Sequence, residues 1–337
     1  MLDDDWLGSD SEDEFGASNN SKMRQWKKVA NGKFEKMLLD CIVNTDDIAA
    51  DYEDIFVSRP IIDRLERTTS LSLKRQMAFS FGVLAKHKVT GAILYGPPGT
   101  GKSLLAKAVA KASGFNMICI STAEVWQKCH GDDERMVQAI FRLARKMYPC
   151  IVFVDEADAM LGQRKQGERR HLKSMINQFL IEWDGLSTDK KAPFVLLATN
   201  RPNDLDPAVI RRAPEHIYMG KPTMEERAGI IRILLKGEVL GRNVNPCWLA
   251  QMTQGYTGSD LKNVCVTAAT ICVGQQREDR ADRVLEQSHF SEALKGMRAS
   301  RVKKRDEAEY NTFGGKVENN YGGAGNHSQG GEDSEDD

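Results

Sequence analysis

The sequence predicts an α/β fold: a parallel sheet covered by helices on both faces, followed by a small all-α domain. Three observations predict it. Short apolar runs alternate with amphipathic helical patterns through the middle of the chain, the strand signal stops near residue 222, and helical patterns alone follow. Apolar strands alternating with amphipathic helices imply a parallel sheet buried on both faces.

The strand candidates are "AILY" (92–95), "NMICI" (116–120), "CIVFVD" (150–155), "FVLLAT" (194–199) and "HIYMG" (216–220), with helical patterns such as "ERMVQAIFRLARKM" between them. Past residue 222, "PTMEERAGIIRILLKG" opens with Thr223 and Glu226 in capping-box spacing, and "GSDLKNVCVTAATICVGQQ" and "HFSEALKGM" continue the helical pattern. Both ends are acidic, Gly/Ser-containing and poor in aliphatics, too polar to offset the entropy of ordering. The expected division is a disordered tail over 1–32, a linker helix over 33–50, an α/β domain over 51–221 and a helical lid over 222–302. A C-terminal helix and a second disordered tail are expected over 303–337. Ser9, Ser11 and Ser334 precede acidic residues, as acidophilic kinase sites do, although a merely solubilising tail reads the same way.

Residues 96–103, "GPPGTGKS", lie between the first apolar run and the pattern "LLAKAVAKASG". Strand, loop, helix is the context in which G-x-x-x-x-G-K-[ST] cradles phosphates. Gly96, Gly99 and Gly101 allow positive φ, so the amides of the loop from Gly96 through Pro97, Pro98 and Thr100 to Leu104 can turn inward around an anion. The helix start adds free N–H groups and partial positive charge. Lys102 would reach the β- and γ-phosphates, and the Ser103 hydroxyl would help hold Mg²⁺. The loop reads as a site for a nucleoside triphosphate.

The run "IVFVDEAD" ends in Asp155 and Glu156. Two adjacent carboxylates at the end of a buried strand are costly unless used. Asp155 can hold Mg²⁺ through water, and Glu156 can orient and deprotonate an attacking water. "LLATN" ends the next strand in Asn200, a neutral side chain suited to position that water and sense the γ-phosphate. Three strand ends thus converge where open sheets bind ligands.

Bulk composition bounds the partners. The 337 residues carry a net charge of −1 and a pI near 6.6, which argues against nucleic acid. The seven cysteines form no C-x-x-C pair and read as reduced thiols. No apolar run is long enough to span a bilayer, so a membrane would be met only through an adaptor or client.

With these residues in hand, the chain resembles an AAA+ ATPase of the meiotic group, which holds katanin, spastin and the mitochondrial-outer-membrane extractases of tail-anchored proteins. The resemblance runs from about 33 to 302 on "GPPGTGKS", "FVDEADAMLGQR", "INQFLIEWDGL", "ATNRPNDLDPAVIRR" and "YTGSDLKNVC". It implies a five-stranded P-loop NTPase sheet with a helical lid, ATP at a subunit interface, and a homo-hexameric ring that pulls protein clients through its pore. It also implies adenine contacts from Asp54, Ile55 and Phe56, a lid turn near the ribose at Gly258 and Ser259, and arginines Arg211 and Arg212 offered to the neighbour's γ-phosphate. Planar, permanently charged guanidinium groups suit the spreading charge of a transferring phosphoryl group, an effect of roughly 10³–10⁵ in rate.

Two departures stand out. After the arginines, where relatives show a basic pair, this chain has Glu215 and His216. Where relatives carry a pore aromatic, it has Cys129, His130 and Gly131. Adjacent Cys129 and His130 without further ligands do not fill a tetrahedral metal site. Trp126 could supply the gripping ring or could pack against the sheet, and Arg169, Arg170 and His171 could form a basic collar on a second pore loop. The leading function is an ATP-driven protein unfoldase or extractase. An ATP-gated binding or scaffold protein with weak grip is the alternative, and a nucleic-acid motor ranks third. The expected location is the cytoplasm, with the mitochondrial outer surface second.

Overall fold

A computed structural model describes residues 24–44, 55–75, 77–79, 81–86, 88–121, 132–163, 170–187, 189–276, 283–300 and 304–321. Ser9, Ser11, Asp54, Trp126, Cys129, His130, Gly131, Arg169 and Ser334 lie outside the described residues, as does most of both acidic tails.

The five expected strands form a parallel set: β2 (Gly91–Tyr95), β3 (Asn116–Ser121), β4 (Cys150–Asp155), β5 (Phe194–Thr199) and β6 (Glu215–Tyr218). A short β1 (Ile42–Val43) joins them antiparallel to β3, so the sheet has six strands in the order β1-β3-β4-β5-β2-β6. β1 falls where the sequence reads as a linker helix over 33–50. Among the described residues there, the α-helical backbone is one short turn, Lys33–Met37, a 3₁₀ turn follows, and Ile42 is buried against the sheet edge. The parallel strands are continuous apolar runs because both faces are covered. On one face pack α1 (Arg59–Lys74) and α2 (Lys102–Ser113), through Leu65, Leu105 and Val109. On the other pack α3 (Asp133–Lys146) and α4 (Arg170–Asp184), through Ile140, Phe141, Phe179 and Trp183.

The helical part has its own core around Ile231, Leu249, Leu261, Ala268 and Phe290. Its first helix, α5 (Met224–Leu234), starts at the expected capping box: Thr223 Oγ1 accepts from Glu226 N at 3.2 Å, and Thr223 N donates to Glu226 Oε2 at 2.8 Å. A second capping box, Thr257 with Asp260, opens α6 (Gly258–Gln275). A two-residue parallel pair, Val239–Leu240 with Val284–Leu285, adds minimal sheet to this otherwise helical unit. The last element, α7 (Lys304–Tyr321), returns to the sheet and buries Tyr310 and Phe313 against it. No helix of the described residues is long and apolar enough to cross a membrane.

Candidate nucleotide-binding and hydrolytic site

β2 sits between β5 and β6, with β4 beyond β5, so the ends of three neighbouring strands deliver the loop 96–101, Asp155 and Asn200 to one edge of the sheet. Glycines make the first loop possible. Gly96 has φ +144, and a Cβ there would sit 2.2 Å from the Met219 carbonyl oxygen. Gly99 has φ +76, and a Cβ there would come within 2.8 Å of Thr257 Oγ1 and 3.0 Å of Ser259 Oγ. The loop therefore lies directly on the start of α6, and Ser259 N donates to the Gly99 carbonyl at 3.2 Å.

The Lys102 ammonium is buried and turned back onto its own loop, donating to the carbonyls of Gly96 at 3.0 Å and Pro97 at 2.7 Å. Burial lowers its pKa to about 8, only partly opposed by Asp155 and Asp158. A buried cation satisfied by two loop carbonyls is ready to exchange them for phosphate oxygens. One residue on, Ser103 Oγ donates to Asp155 Oδ2 at 2.6 Å. Hydroxyl and carboxylate are the hard oxygen donors that Mg²⁺ takes. They are only two side chains, and no cluster of three His, Cys, Asp or Glu side chains suits a metal among the described residues. Mg²⁺ here would fill its remaining positions with waters and phosphate oxygens.

Glu156 follows in a left-handed conformation, φ 50 and ψ 47, the one non-glycine residue with positive φ among the described residues. That backbone costs on the order of 1–3 kcal/mol and persists where the surroundings impose it. Its N–H donates to Asp155 Oδ1 at 3.0 Å, which leaves the side chain exposed to the cleft. Asn200 closes the far side. Its Oδ1 is buried and meets no hydrogen-bond partner among the described residues. An orphaned buried acceptor carries a desolvation cost of about 1–3 kcal/mol that a bound water or ligand would relieve.

These groups line one cleft of roughly 480 Å³ between sheet and lid. Its polar half holds Gly99–Ser103, Asp155, Glu156 and Asn200, and its apolar half holds Ile55, Phe56 and Val57 facing Ile230, Ile233 and Leu234 of α5. The Phe56 ring lies against Gly229, where a Cβ would come within 2.2 Å of it. An apolar slot beside a phosphate-sized polar cradle fits a nucleotide. Ile55, Phe56, Pro98–Leu104, Gly258 and Ser259 all line the cleft, while Pro97 is buried beneath it and receives the Thr100 hydroxyl at 3.0 Å. Sequence reasoning missed Val57, Ile230, Ile233, Leu234 and Lys262. For Ile230, Ile233 and Leu234 the only signal was the apolar face of α5, which reads equally as core.

Arg211 and Arg212 do not line this chain's cleft. They end the short helix Pro207–Arg212, capped by Asp206. Arg211 is exposed, while Arg212 pairs with Asp184. His216, within the edge strand β6, stacks on Phe313. Arg170 and His171 fall in the first turn of α4.

Comparison with known families matches residues 92–221 to the ATPase family associated with various cellular activities (AAA) and residues 243–292 to the AAA+ lid domain. The chain is similar to the outer mitochondrial transmembrane helix translocase of Homo sapiens, 34% identical over 270 residues that cover 80% of this chain and 73% of that protein. A Danio rerio protein of the same name is 36% identical over 242 residues, 72% of this chain and 63% of that one. The mitochondrial sorting homolog of Caenorhabditis elegans is 34% identical over 283 residues, 82% of each chain.

Proposed function

Because the chain belongs to the AAA family of ATPases, we propose that it is a Mg²⁺-dependent ATP hydrolase that remodels or extracts protein clients as a homo-hexameric ring. The observation that carries this reading is the meeting of Lys102, the Ser103–Asp155 pair, Glu156 and Asn200 in one cleft between sheet and lid.

In this reading the adenine enters the slot between Ile55–Val57 and α5, with Gly258 and Ser259 near the ribose. Amides of the loop 96–104 and the start of α2 hold the phosphates. Lys102 leaves the carbonyls of Gly96 and Pro97 for the β- and γ-phosphates. Ser103 and Asp155 would hold Mg²⁺, which would neutralise negative charge on the phosphates. Glu156 accepts a proton from the attacking water, and Asn200 Oδ1 accepts a hydrogen bond from the same water and fixes its direction. Arg211 and Arg212, which do not line their own cleft, serve the cleft of a neighbouring subunit.

The relatives' names support a client with a transmembrane helix, met at the outer mitochondrial membrane. Cys129 at the position of the relatives' pore aromatic favours a second reading, an ATP-gated binding or scaffold protein that grips clients weakly. Steady-state ATPase measurement tests the main reading. Lys102→Ala should lose ATP hydrolysis through weakened phosphate binding, whereas Glu156→Gln should bind ATP and stall. Wild-type turnover in Glu156→Gln would remove Glu156 as the base. Stimulation of turnover by protein clients separates the remodeller from the scaffold, and stimulation by DNA would favour a nucleic-acid motor.

A further inference from the structure

The peptide group that joins Asn200 to Arg201 is held at both of its polar atoms. Its N–H, on Arg201, donates to Thr199 Oγ1 at 2.9 Å, and that hydroxyl donates in turn to Asp158 Oδ1 at 2.6 Å. Its carbonyl, on Asn200, accepts from the Tyr310 hydroxyl at 2.9 Å. Thr199 and Asp158 belong to the sheet and to the turn after β4. Tyr310 comes from α7, 110 residues away in sequence.

The seat of α7 is aromatic. Phe313 meets Tyr95 edge-on at 4.9 Å and stacks on His216 at 4.8 Å, and Tyr310 lies 5.9 Å from Tyr218. The approach is close: a Cβ on Gly314 would come within 2.8 Å of the Tyr95 hydroxyl oxygen. Asn203 Nδ2 adds a 3.5 Å bond to the Glu309 carbonyl. The loop after β5 is thus pinned from beneath by the sheet and from above by α7. Burial raises the Tyr310 pKa to about 12, with Asp306 and Glu309 acting in the same direction, so the hydroxyl stays a donor throughout the working range of pH.

We infer that Tyr310 is a positioning residue for hydrolysis: by clamping the Asn200 carbonyl it fixes the backbone that aims Asn200 Oδ1 into the cleft. The inference rests on the proposed role of Asn200. A peptide plane held at one end can rotate about ψ of Asn200, and rotation swings the side chain away from the water it is to orient. Loss of the Tyr310 bond therefore leaves nucleotide binding intact and spoils the chemical step. Docking of α7 becomes a condition for turnover, although none of its described side chains lines the cleft.

Tyr310→Phe keeps the ring and its packing and removes only the hydroxyl. The expected result is a fall in kcat of about three- to tenfold, the rate equivalent of one net hydrogen bond. KM for ATP should stay within twofold, and the size of the assembly should be unchanged. ATP affinity measured in the Glu156→Gln background should not move. Phe313→Ala, which loosens the whole helix, should reproduce the loss of kcat. Wild-type kcat in Tyr310→Phe overturns the inference while leaving the ATPase reading intact. A fall in kcat matched by loss of ATP affinity or of assembly also overturns it, because Tyr310 would then be structural only. If the wild-type chain itself does not hydrolyse ATP, the parent reading fails and this inference with it.

Discussion

The guanidinium of Arg212 lies on the carboxylate of Asp184 through two parallel bonds, Nε to Oδ1 and Nη2 to Oδ2, each 2.6 Å, while its Nη1 donates to the Ala208 carbonyl at 2.9 Å. The bidentate pair holds the Asp184 carboxyl below the usual range and raises Arg212 further. Arg212 is therefore occupied within its own chain, and its neighbour Arg211 is exposed with no carboxylate partner among the described residues.

To serve a neighbouring cleft, Arg212 must first give up Asp184, whereas Arg211 has no such bond to break. Arg211→Ala is expected to lower turnover more than Arg212→Ala. The partly solvated pair contributes no more than about 1 kcal/mol, so Arg212→Ala should leave thermal stability almost unchanged. Mixing Arg212→Ala chains with Glu156→Gln chains should restore part of the turnover that each lacks alone, since interfaces with both residues intact reappear. Activity of the mixture no greater than the sum of its parts would exclude action in trans.

Lys102 gives a pH dependence of definite sign. Its pKa in the free protein is about 8, lowered by burial, and phosphate oxygens would favour the charged form. Below pH 8 the lysine is already charged and binding takes up no proton. Above it, binding must take up one, so ATP affinity is expected to fall as pH rises from 8 to 9.5. Calorimetry in buffers of different ionisation enthalpy should register that uptake at pH 8.5, and Lys102→Met should abolish both the uptake and the slope. A flat affinity across this range in the wild type would refute the assignment. The stability of the free protein runs the other way: the unfolded chain holds the lysine proton up to about 10.4, so stability rises with pH between about 8 and 10.4.

Gly99 and Gly101 separate two contributions to the phosphate loop. Both have positive φ, so alanine at either position is strained by an amount on the order of 1–3 kcal/mol. Only at Gly99 does the added Cβ also strike the lid, at Thr257 and Ser259; at Gly101 it meets nothing within 4 Å. Gly99→Ala should therefore weaken ATP binding more than Gly101→Ala, and the difference reports the contact between loop and lid. Equal losses would mean that the lid contact contributes nothing to binding.

The central strands and the phosphate loop were legible because parallel strands buried on both faces are continuous apolar runs, and because glycine, lysine and serine at fixed spacing have few other uses. Asp155, Glu156 and Asn200 could be read because each ends such a run. β1 was not legible: "CIVN" is too short to show a period, and only the edge of β3 makes Ile42 and Val43 extended. The apolar half of the cleft was hidden for another reason. Ile230 and Ile233 lie on a helix face whose pattern says only that something covers it. A helix near the C-terminus was expected, but its seat was not, since Tyr310 and Phe313 meet Tyr95 across more than two hundred residues. Nothing local encodes a contact of that range.

His216 makes the docking of α7 sensitive to acid. Its ring stacks on Phe313 with an interplanar angle of 21°, and neither ring nitrogen meets a well-formed hydrogen bond among the described residues. Burial lowers its pKa below 6.5. The nearby backbone of Ala213 and Ile210 and the Glu215 carboxylate oppose that shift, and Arg64, bonded to Glu215 at 2.9 Å, reinforces it. A histidine kept neutral in the fold and free to protonate outside it adds stability at neutral pH. That stability is lost as pH falls from about 6.5 toward the lowered native pKa, because the open state binds the proton first. The carboxylates of α7 that bear on the aromatic seat are Asp306, Glu307 and Glu309, which act on Tyr218 and Tyr310. Hydrogen exchange over 304–321, corrected for intrinsic rates, should therefore be faster at pH 5.8 than at pH 7.5. His216→Phe should remove the difference while keeping the stack. If Tyr310 positions Asn200, ATPase activity should fall over the same interval in the wild type and less in His216→Phe. Equal pH profiles for the two proteins would show that α7 is held independently of His216.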